Sequence, residues 1–335
     1  AYRGFCAAVQ EAWFGLAAAL LRYGLGIGHF VYVPSSLGGL EGLVKQCAGR
    51  HVVLVSNHRT RIDWMFLWGL CLMLRRVGGM KIILKESLKQ APGFGWAMQC
   101  FGFIFLSRKN KDADLALLQA SVDYHCREPG QPATVILFPE GTDLSENNLE
   151  RSRAFAKKGG LPLYEEVLHP KTAGFCAVVQ AAGPSALVLD ATIGYVEHPS
   201  AGRPSEKSLF TGKPPREVHI RLELADLGGG GGGSDAAQTP EALAEGCRAL
   251  FAAKERRLSR FSAPLRASAG ALDSATAAST RPDVAALGED CEVTTLGGAR
   301  GVPTQLAVGV ASFTVLEVAC LSAALRYGRS AGFWL

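Results

Sequence analysis

Short apolar runs alternate with longer, more polar segments through the middle of the chain. The runs are rich in Val, Ile, Leu and Phe, as expected of buried strands, and the segments between them are long enough to form helices. Such alternation predicts an α/β domain in which helices flank a central mixed sheet. The predicted strands are Val52–Val55, Lys81–Leu84, Phe103–Leu106, Thr134–Phe138, Leu187–Tyr195 and Val218–Leu224.

The pattern changes on both sides of this predicted domain, which we place at residues 45–227. Residues 1–44 are apolar, but Glu11 and Arg22 leave only ten uncharged residues between them. A membrane span needs roughly 20, so we predict packed or interfacial helices. No secretory signal pattern precedes them, and we expect sequence to be missing upstream.

Four segments are predicted after the domain. A glycine-rich linker, residues 228–240, contains six successive glycines and is followed by a charged helix at 241–261. Residues 262–303 are rich in Ala, Ser, Gly and Thr and are expected to be a loosely ordered linker. Residues 304–325 are long and apolar enough for a transmembrane helix, with a buried core helix as the alternative.

Composition narrows the classes of function. Only 19% of the 335 residues are charged and the mean hydropathy is +0.14, which favours membrane contact. The net charge of +5 comes without a basic run, which argues against nucleic acid and for attraction to anionic lipid or phosphate. The nine cysteines and seven histidines show no metal-binding spacing, so no metal site is expected. No bound cofactor is expected either.

The strongest candidate chemistry directly follows the first predicted strand. His58 and Asp63 are five residues apart, too far to point the same way from one helix, so they can meet only across a strand-to-helix turn. A carboxylate bonded to one imidazole nitrogen makes the other nitrogen a better base. The alternative is a loop histidine beside a helix cap.

Two other apolar strands also end in polar residues. Arg108 ends the run that begins at Gly102, and its guanidinium suits a phosphate. Lys85, at the end of the strand KIILK, is a second phosphate candidate. The turn F-P-E-G-T at 138–142 adds Glu140, Gly141 and Thr142. In an α/β sheet, ligands bind at the carboxyl ends of the strands, so these three motifs are expected to meet.

The three motifs together resemble the glycerolipid acyltransferases of the lysophosphatidate acyltransferase type. They are N-H-x-x-x-x-D at 57–63, G-x-I-F-x-x-R at 102–108 and F-P-E-G-T at 138–142. The stretches NHRTRIDWMFLW, PGFGWAMQ, FPEGTDLSEN and LHPKTAGF are similar to the lysocardiolipin acyltransferase branch. The V-P motif of the wider family is absent, which leaves the acceptor head group open.

The resemblance implies a role for each candidate residue. His58 would be the general base and Asp63 would orient it, while Arg108 would bind the acceptor phosphate and Glu140 and Gly141 would help hold the acceptor. Lys85 and Thr142 are substrate-binding candidates by their places at strand ends alone, and for Lys85 the alternative is a solvated strand-end lysine. Acyl-CoA would be the donor and a lysophospholipid, of the lysocardiolipin or lysophosphatidic acid type, the acceptor.

Two other functions stay open, a CoA-independent phospholipid transacylase and a catalytically silent lipid-binding protein. The expected location is a membrane, of the endoplasmic reticulum or associated with mitochondria. The sequence leaves the oligomeric state undetermined.

Overall fold

A computed structural model describes residues 2–91, 93–127, 132–197, 203–227, 239–269 and 281–296. Within these ranges, eight strands form one mixed sheet with helices on both faces, which confirms the predicted fold class. The strands are β1 (Gly28–Pro34), β2 (Val52–Ser56), β3 (Met80–Lys85), β4 (Ile104–Leu106), β5 (Thr134–Leu137), β6 (Leu187–Val196), β7 (Glu217–Leu224) and β8 (Cys291–Thr295).

Helices connect and cover these strands. They are α1 (Tyr2–Ala19), α2 (Gly39–Cys47), α3 (Asp63–Met73), α4 (Phe94–Cys100), α5 (Lys111–Cys126), α6 (Glu146–Gly159), α7 (Thr172–Ala182), α8 (Glu206–Phe210), α9 (Pro240–Ala269) and α10 (Ala285–Gly288). A π-helical turn, Leu20–Gly24, extends α1, and short 3-10 helices lie at Ser35–Leu37, Val77–Gly79 and Glu86–Gln90.

The strand order places the candidate motifs at one edge of the sheet. The order is β4-β3-β5-β2-β6-β7-β1-β8, and the first five strands run parallel to their neighbours. β7 is antiparallel to β6 and parallel to β1, while β8 is antiparallel to β1. The carboxyl ends of β2, β3, β4 and β5 therefore lie side by side.

Both faces of the sheet are buried. Along β2, Val52 and Leu54 join the cluster beneath α1 and α3, whereas Val53 and Val55 join the cluster beneath α5, α7 and α9. A strand covered on both faces has no polar side, because successive side chains point to opposite faces. This is why the central strands appear in the sequence as uninterrupted apolar runs.

The two strands at one side of the sheet differ from the sequence prediction. Helices were expected throughout residues 1–44, but Gly28–Pro34 forms β1, in which Val31 pairs with Ile220 of β7. The expected loose linker at 262–303 instead contributes the end of α9, then α10 and β8. β1 does contain a strand-like run, residues 30–33, but it lies within an apolar segment that was interpreted as helical, and β8 lies in a segment with few large apolar residues.

Helix α1 is more continuous than the charge spacing predicted. By length and composition alone, Gly4–Gly24 could cross a membrane, and about a third of that stretch is buried in the protein. Its inner face contributes Phe14, whose ring centroid lies 5.0 Å from that of Trp68. Phe5 and Leu20 are exposed on α1 and its extension. The predicted span at 304–325 and the glycine run lie outside the described residues, and the domain boundaries stay predictions.

Candidate active site

His58 and Asp63 meet across the turn between β2 and α3. β2 ends at Ser56 and α3 begins at Asp63, so the intervening loop folds back on itself. His58 Nδ1 lies 2.9 Å from Asp63 Oδ2. Because a carboxylate only accepts, Nδ1 carries the proton and Nε2 is left as the basic nitrogen.

Asp63 is held by four hydrogen bonds. Oδ2 accepts from His58 Nδ1 and from the backbone N–H of Thr60 at 2.9 Å, and Oδ1 accepts from Thr60 Oγ1 at 2.8 Å and from Tyr195 Oη at 2.5 Å. Burial and the negative charge of Asp63 raise the pKa of Tyr195 well above its usual value, so the phenol remains a donor. The carboxylate is 0% exposed and cannot contact a substrate.

The His58 imidazole is the accessible member of the pair, with 16% of its side chain exposed. Its ring stacks on Phe138 at a centroid distance of 4.4 Å. Burial lowers the pKa of His58, but the hydrogen bond and charge of Asp63, with the charges of Glu140 and Asp143, outweigh it and the net shift is upward. Among the described residues, we find no hydrogen-bond partner for Nε2, which leaves this atom for a substrate.

Backbone contacts fix the loop that carries His58. The Asn57 side chain donates to the carbonyl oxygen of Ile193 at 3.0 Å and accepts from the N–H of the same residue at 2.8 Å. It thereby continues the pairing of β2 with β6 beyond the end of β2. The carbonyl oxygen of His58 accepts from the N–H of Leu144 at 2.8 Å.

Glu140 lies behind the histidine, not at the surface. Its Oε1 accepts from the backbone N–H of His58 at 2.7 Å and its Oε2 from that of Leu168 at 3.0 Å, and the residue is 2% exposed. Burial raises its pKa to about 7, although these two hydrogen bonds oppose the shift. The geometry therefore gives Glu140 a position behind His58, and its part in holding the acceptor stays a prediction.

Gly141 and Thr142 form the turn after β5. Gly141 has φ +73°, and a Cβ on it would lie 3.2 Å from Lys171 Nζ, so a side chain would meet both strain and a close neighbour. Thr142 Oγ1 accepts from Asn148 Nδ2 at 2.9 Å. Their contact with an acceptor stays a prediction.

Arg108 and Lys85 lie at the neighbouring ends of β4 and β3, and both are exposed. Arg108 has φ +61°, and its N–H donates to Asp114 Oδ2 at 2.7 Å. Burial lowers the pKa of its guanidinium despite the opposing charge of Asp114. β3 and β5 separate β4 from β2, so the strand that leads to Arg108 lies three strand spacings, about 14 Å in a regular sheet, from the strand that leads to His58. The candidate site therefore has His58 after β2, and the two cations, at the ends of β3 and β4, on one side of it.

Comparisons with known proteins find similarity over the stretch of the chain that carries these motifs. Residues 39–194 match the acyltransferase family. Lysocardiolipin acyltransferase 1 of Danio rerio is 39% identical over 266 residues, covering 78% of this chain and 62% of that protein. This chain is therefore similar to known acyltransferases through the stretch that carries the three motifs.

Further similarities are more distant. The probable 1-acyl-sn-glycerol-3-phosphate acyltransferase 5 of Arabidopsis thaliana is 38% identical over 52% of this chain and 46% of its own length. The crystal structure of the 1-acyl-sn-glycerophosphate (LPA) acyltransferase PlsC from Thermotoga maritima aligns with 66% of this chain and 72% of its own, at a TM-score of 0.37 and 22% identity. The chain thus spans less than two thirds of the curated relatives named here.

The candidate site also contains residues to which the sequence assigned no role. Thr60 and Tyr195 both bind Asp63, and Asn57 ties the loop to β6. Thr60 could have been found, because Thr-x-x-Asp is a capping-box pattern at a helix start. No local signal points to Tyr195, which is 132 residues from Asp63. In the described parts of this chain, no three His, Cys, Asp or Glu side chains form a metal-binding group.

Proposed function

We propose that this chain is an acyl-CoA-dependent lysophospholipid O-acyltransferase in which His58 is the general base. The observation that supports this most directly is the different exposure of the pair. Asp63 is fully buried and bonded on both oxygens, whereas the imidazole it holds is reachable by a substrate.

The reaction needs no nucleophile from the protein. His58 Nε2 removes the proton from the free glycerol hydroxyl of the acceptor, and the oxygen forms a bond to the thioester carbon of acyl-CoA. The tetrahedral oxyanion then collapses, the carbon–sulfur bond breaks, and the imidazolium returns its proton to the CoA thiolate. Asp63 stabilises the imidazolium between these two steps.

The positions of Arg108 and Lys85 support recognition of the acceptor phosphate. Both cations are exposed at the same edge of the sheet as His58, and a guanidinium can bind phosphate with two hydrogen bonds. The two curated relatives described above are named for different acceptors, lysocardiolipin and 1-acyl-sn-glycerol-3-phosphate. We propose an acceptor of one of these two types.

Exposed apolar side chains on α1 support membrane association. Phe5, Val9 and Leu20 face outward from a helix that could cross a membrane by length and composition. A lysophospholipid partitions into a bilayer, so a domain held at its surface would meet the acceptor there. The endoplasmic reticulum is the proposed location.

The test is an acyl-transfer assay with one labelled acyl-CoA and a panel of lysophospholipid acceptors. We expect transfer to one acceptor class, and a loss of most of the rate in His58→Ala. Transfer from a phospholipid donor without acyl-CoA would indicate a transacylase. Lipid binding that is unchanged in His58→Ala, with no transfer by either protein, would indicate a silent lipid-binding protein. Equal rates on every acceptor would refute both narrow acceptor assignments.

A further inference from the structure

Helix α9 lies outside the stretch that matches the family, yet it binds a segment next to the catalytic loop. Glu255, in the middle of α9, accepts hydrogen bonds from three successive backbone N–H groups: Glu165 and Glu166 at 2.9 Å and Val167 at 3.1 Å. One carboxylate on α9 therefore fixes the backbone at residues 165–167. We call residues 165–168 the bridge segment.

The next N–H in the bridge segment leads to the catalytic histidine. Leu168 donates to Glu140 Oε2 at 3.0 Å, and Glu140 Oε1 accepts from the His58 N–H at 2.7 Å. Four consecutive amides thus bind two carboxylates, one from α9 and one from behind His58. A shift of the bridge segment would remove one of the two amides that hold Glu140.

A second connection reaches the residue after His58. Arg59 Nη1 donates to Glu166 Oε2 at 2.9 Å, and the other oxygen of Glu166 binds the side chains of Ser262 and Arg266, both on α9. Glu166 therefore joins the catalytic loop to α9 directly. His58 and Arg59 are both connected to α9 through the bridge segment.

Lys254, next to Glu255 on α9, connects the helix to β6. Its Nζ lies 2.7 Å from Asp190 Oδ1 and 2.5 Å from the carbonyl oxygen of Ala191, both in β6. Lys254 and Asp190 are 0% and 1% exposed, and a buried ion pair holds its geometry because breaking it leaves an uncompensated charge. The helix therefore has a fixed position relative to the strand that adjoins β2.

We infer that α9 is a positioning element of the acyltransferase site, which sets the place of His58 through Glu255, the bridge segment and Glu140. The catalytic part of this inference rests on the proposed function. It extends the functional unit beyond residue 227, where the sequence placed the end of the domain. It also makes Glu255 a positioning residue, since it touches neither the imidazole nor a substrate.

The decisive variants are Glu255→Ala and Glu255→Gln in the full chain. Glutamine keeps the size of the side chain, but in either orientation its NH2 group must face a backbone N–H of residues 165–167. The substitution therefore breaks these hydrogen bonds without leaving a cavity. Glu245→Ala is the matched control, since Glu245 lies on the same helix, is 74% exposed and, among the described residues, pairs only with Arg248. Two properties are measured: backbone hydrogen exchange in peptides covering 56–64 and 164–170, and kcat and KM of acyl transfer.

We expect both Glu255 variants to speed exchange about tenfold or more in both peptides, because hydrogen bonds to a charged group are lost. We expect kcat to fall about 10- to 100-fold, because small misplacements of a catalytic group are costly, while KM for acyl-CoA stays within about threefold. Glu245→Ala should change none of these. If Glu255→Ala does not fold, Glu255→Gln provides the same test.

The inference is overturned by the following result for the Glu255 variants below their unfolding temperature. Hydrogen exchange rises in the 164–170 peptide, but exchange in the 56–64 peptide and kcat are both unchanged. Glu255 would then only cap its own loop. Failure of the proposed function is recognised separately, since wild-type protein would transfer no acyl group to any acceptor. The exchange comparison still decides in that case whether α9 positions the His58 loop.

Discussion

Replacing Asp63 by Asn removes the charge behind His58 but keeps a side chain of the same shape. On the Oδ2 side the donors are His58 Nδ1 and the backbone N–H of Thr60, and the latter can never accept. On the Oδ1 side the donors are the hydroxyls of Thr60 and Tyr195, which can rotate and accept. The asparagine NH2 should therefore turn toward the hydroxyls, and its oxygen should stay on the imidazole.

The magnitude follows from this orientation. His58 keeps its tautomer, so the loss is the difference between a charge-assisted and a neutral hydrogen bond, about 1 to 2 kcal/mol. A tenfold change in rate corresponds to about 1.4 kcal/mol, so kcat/KM should fall about 5- to 30-fold. Because Asp63 raises the pKa of His58, the acid limb of the pH–rate profile should move to lower pH.

The assay is acyl transfer in defined mixed micelles, from pH 5 to 9. Asp143→Asn is the comparison, because the charge of Asp143 also raises the pKa of His58, but Asp143 does not hydrogen-bond the ring. It should move the acid limb in the same direction with a smaller loss of rate. An Asp63→Asn rate within threefold of wild type would refute the base-and-orienter assignment. A loss of about 10⁴-fold would instead indicate the wrong tautomer and refute the predicted orientation.

Three further expectations concern the same site. In wild type, His58 must be neutral to accept a proton, and its pKa is raised. We therefore expect kcat/KM to rise with pH through a value above about 6.5. A flat profile from pH 5 to 8 would contradict this. Tyr195→Phe should lower kcat about tenfold and move the acid limb upward, since Asp63 with one donor fewer attracts the imidazolium more strongly. Tyr32→Phe, which removes the buried bond from that hydroxyl to His219, is its control and should change only stability. Arg108→Ala should raise KM for the phosphate-bearing acceptor about tenfold or more, with little change in kcat. Lys109→Ala, at the neighbouring exposed residue, is the control and should leave KM unchanged. If titrations of the acceptor give the two variants the same KM, Arg108 makes no specific contact with the phosphate.

The central strands could be predicted because their environment is uniform. β2 and β5 are buried along their whole length, and their side chains are apolar except for Ser56 at the end of β2 and Thr134 at the start of β5. The strands at the other side of the sheet could not be predicted. β8 has exposed and half-buried positions only, and it is held by pairing with β1, more than 250 residues earlier in the chain.

Distance along the chain also limited what could be inferred about the site. The roles suggested for Arg108, Lys85 and Thr142 rest on their places at strand ends, which the structure retains. For Glu140 the sequence suggested a part in holding the acceptor, and it did not indicate that the carboxylate faces two backbone amides. The direction in which a side chain points after a turn depends on what packs around it, and the sequence does not state this.

The sequence by itself determined that His58 and Asp63 are close along the chain, at the turn between a buried strand and a helix, and so predicted that they could meet. The structure shows that they do, with Nδ1 at 2.9 Å from Oδ2. Tertiary structure alone decided that Tyr195 completes the environment of Asp63 and that Glu255 holds the bridge segment. These residues reach the site only when β6 pairs with β2 and α9 packs on the sheet. Their contacts follow from strand order and packing, which are properties of the whole chain.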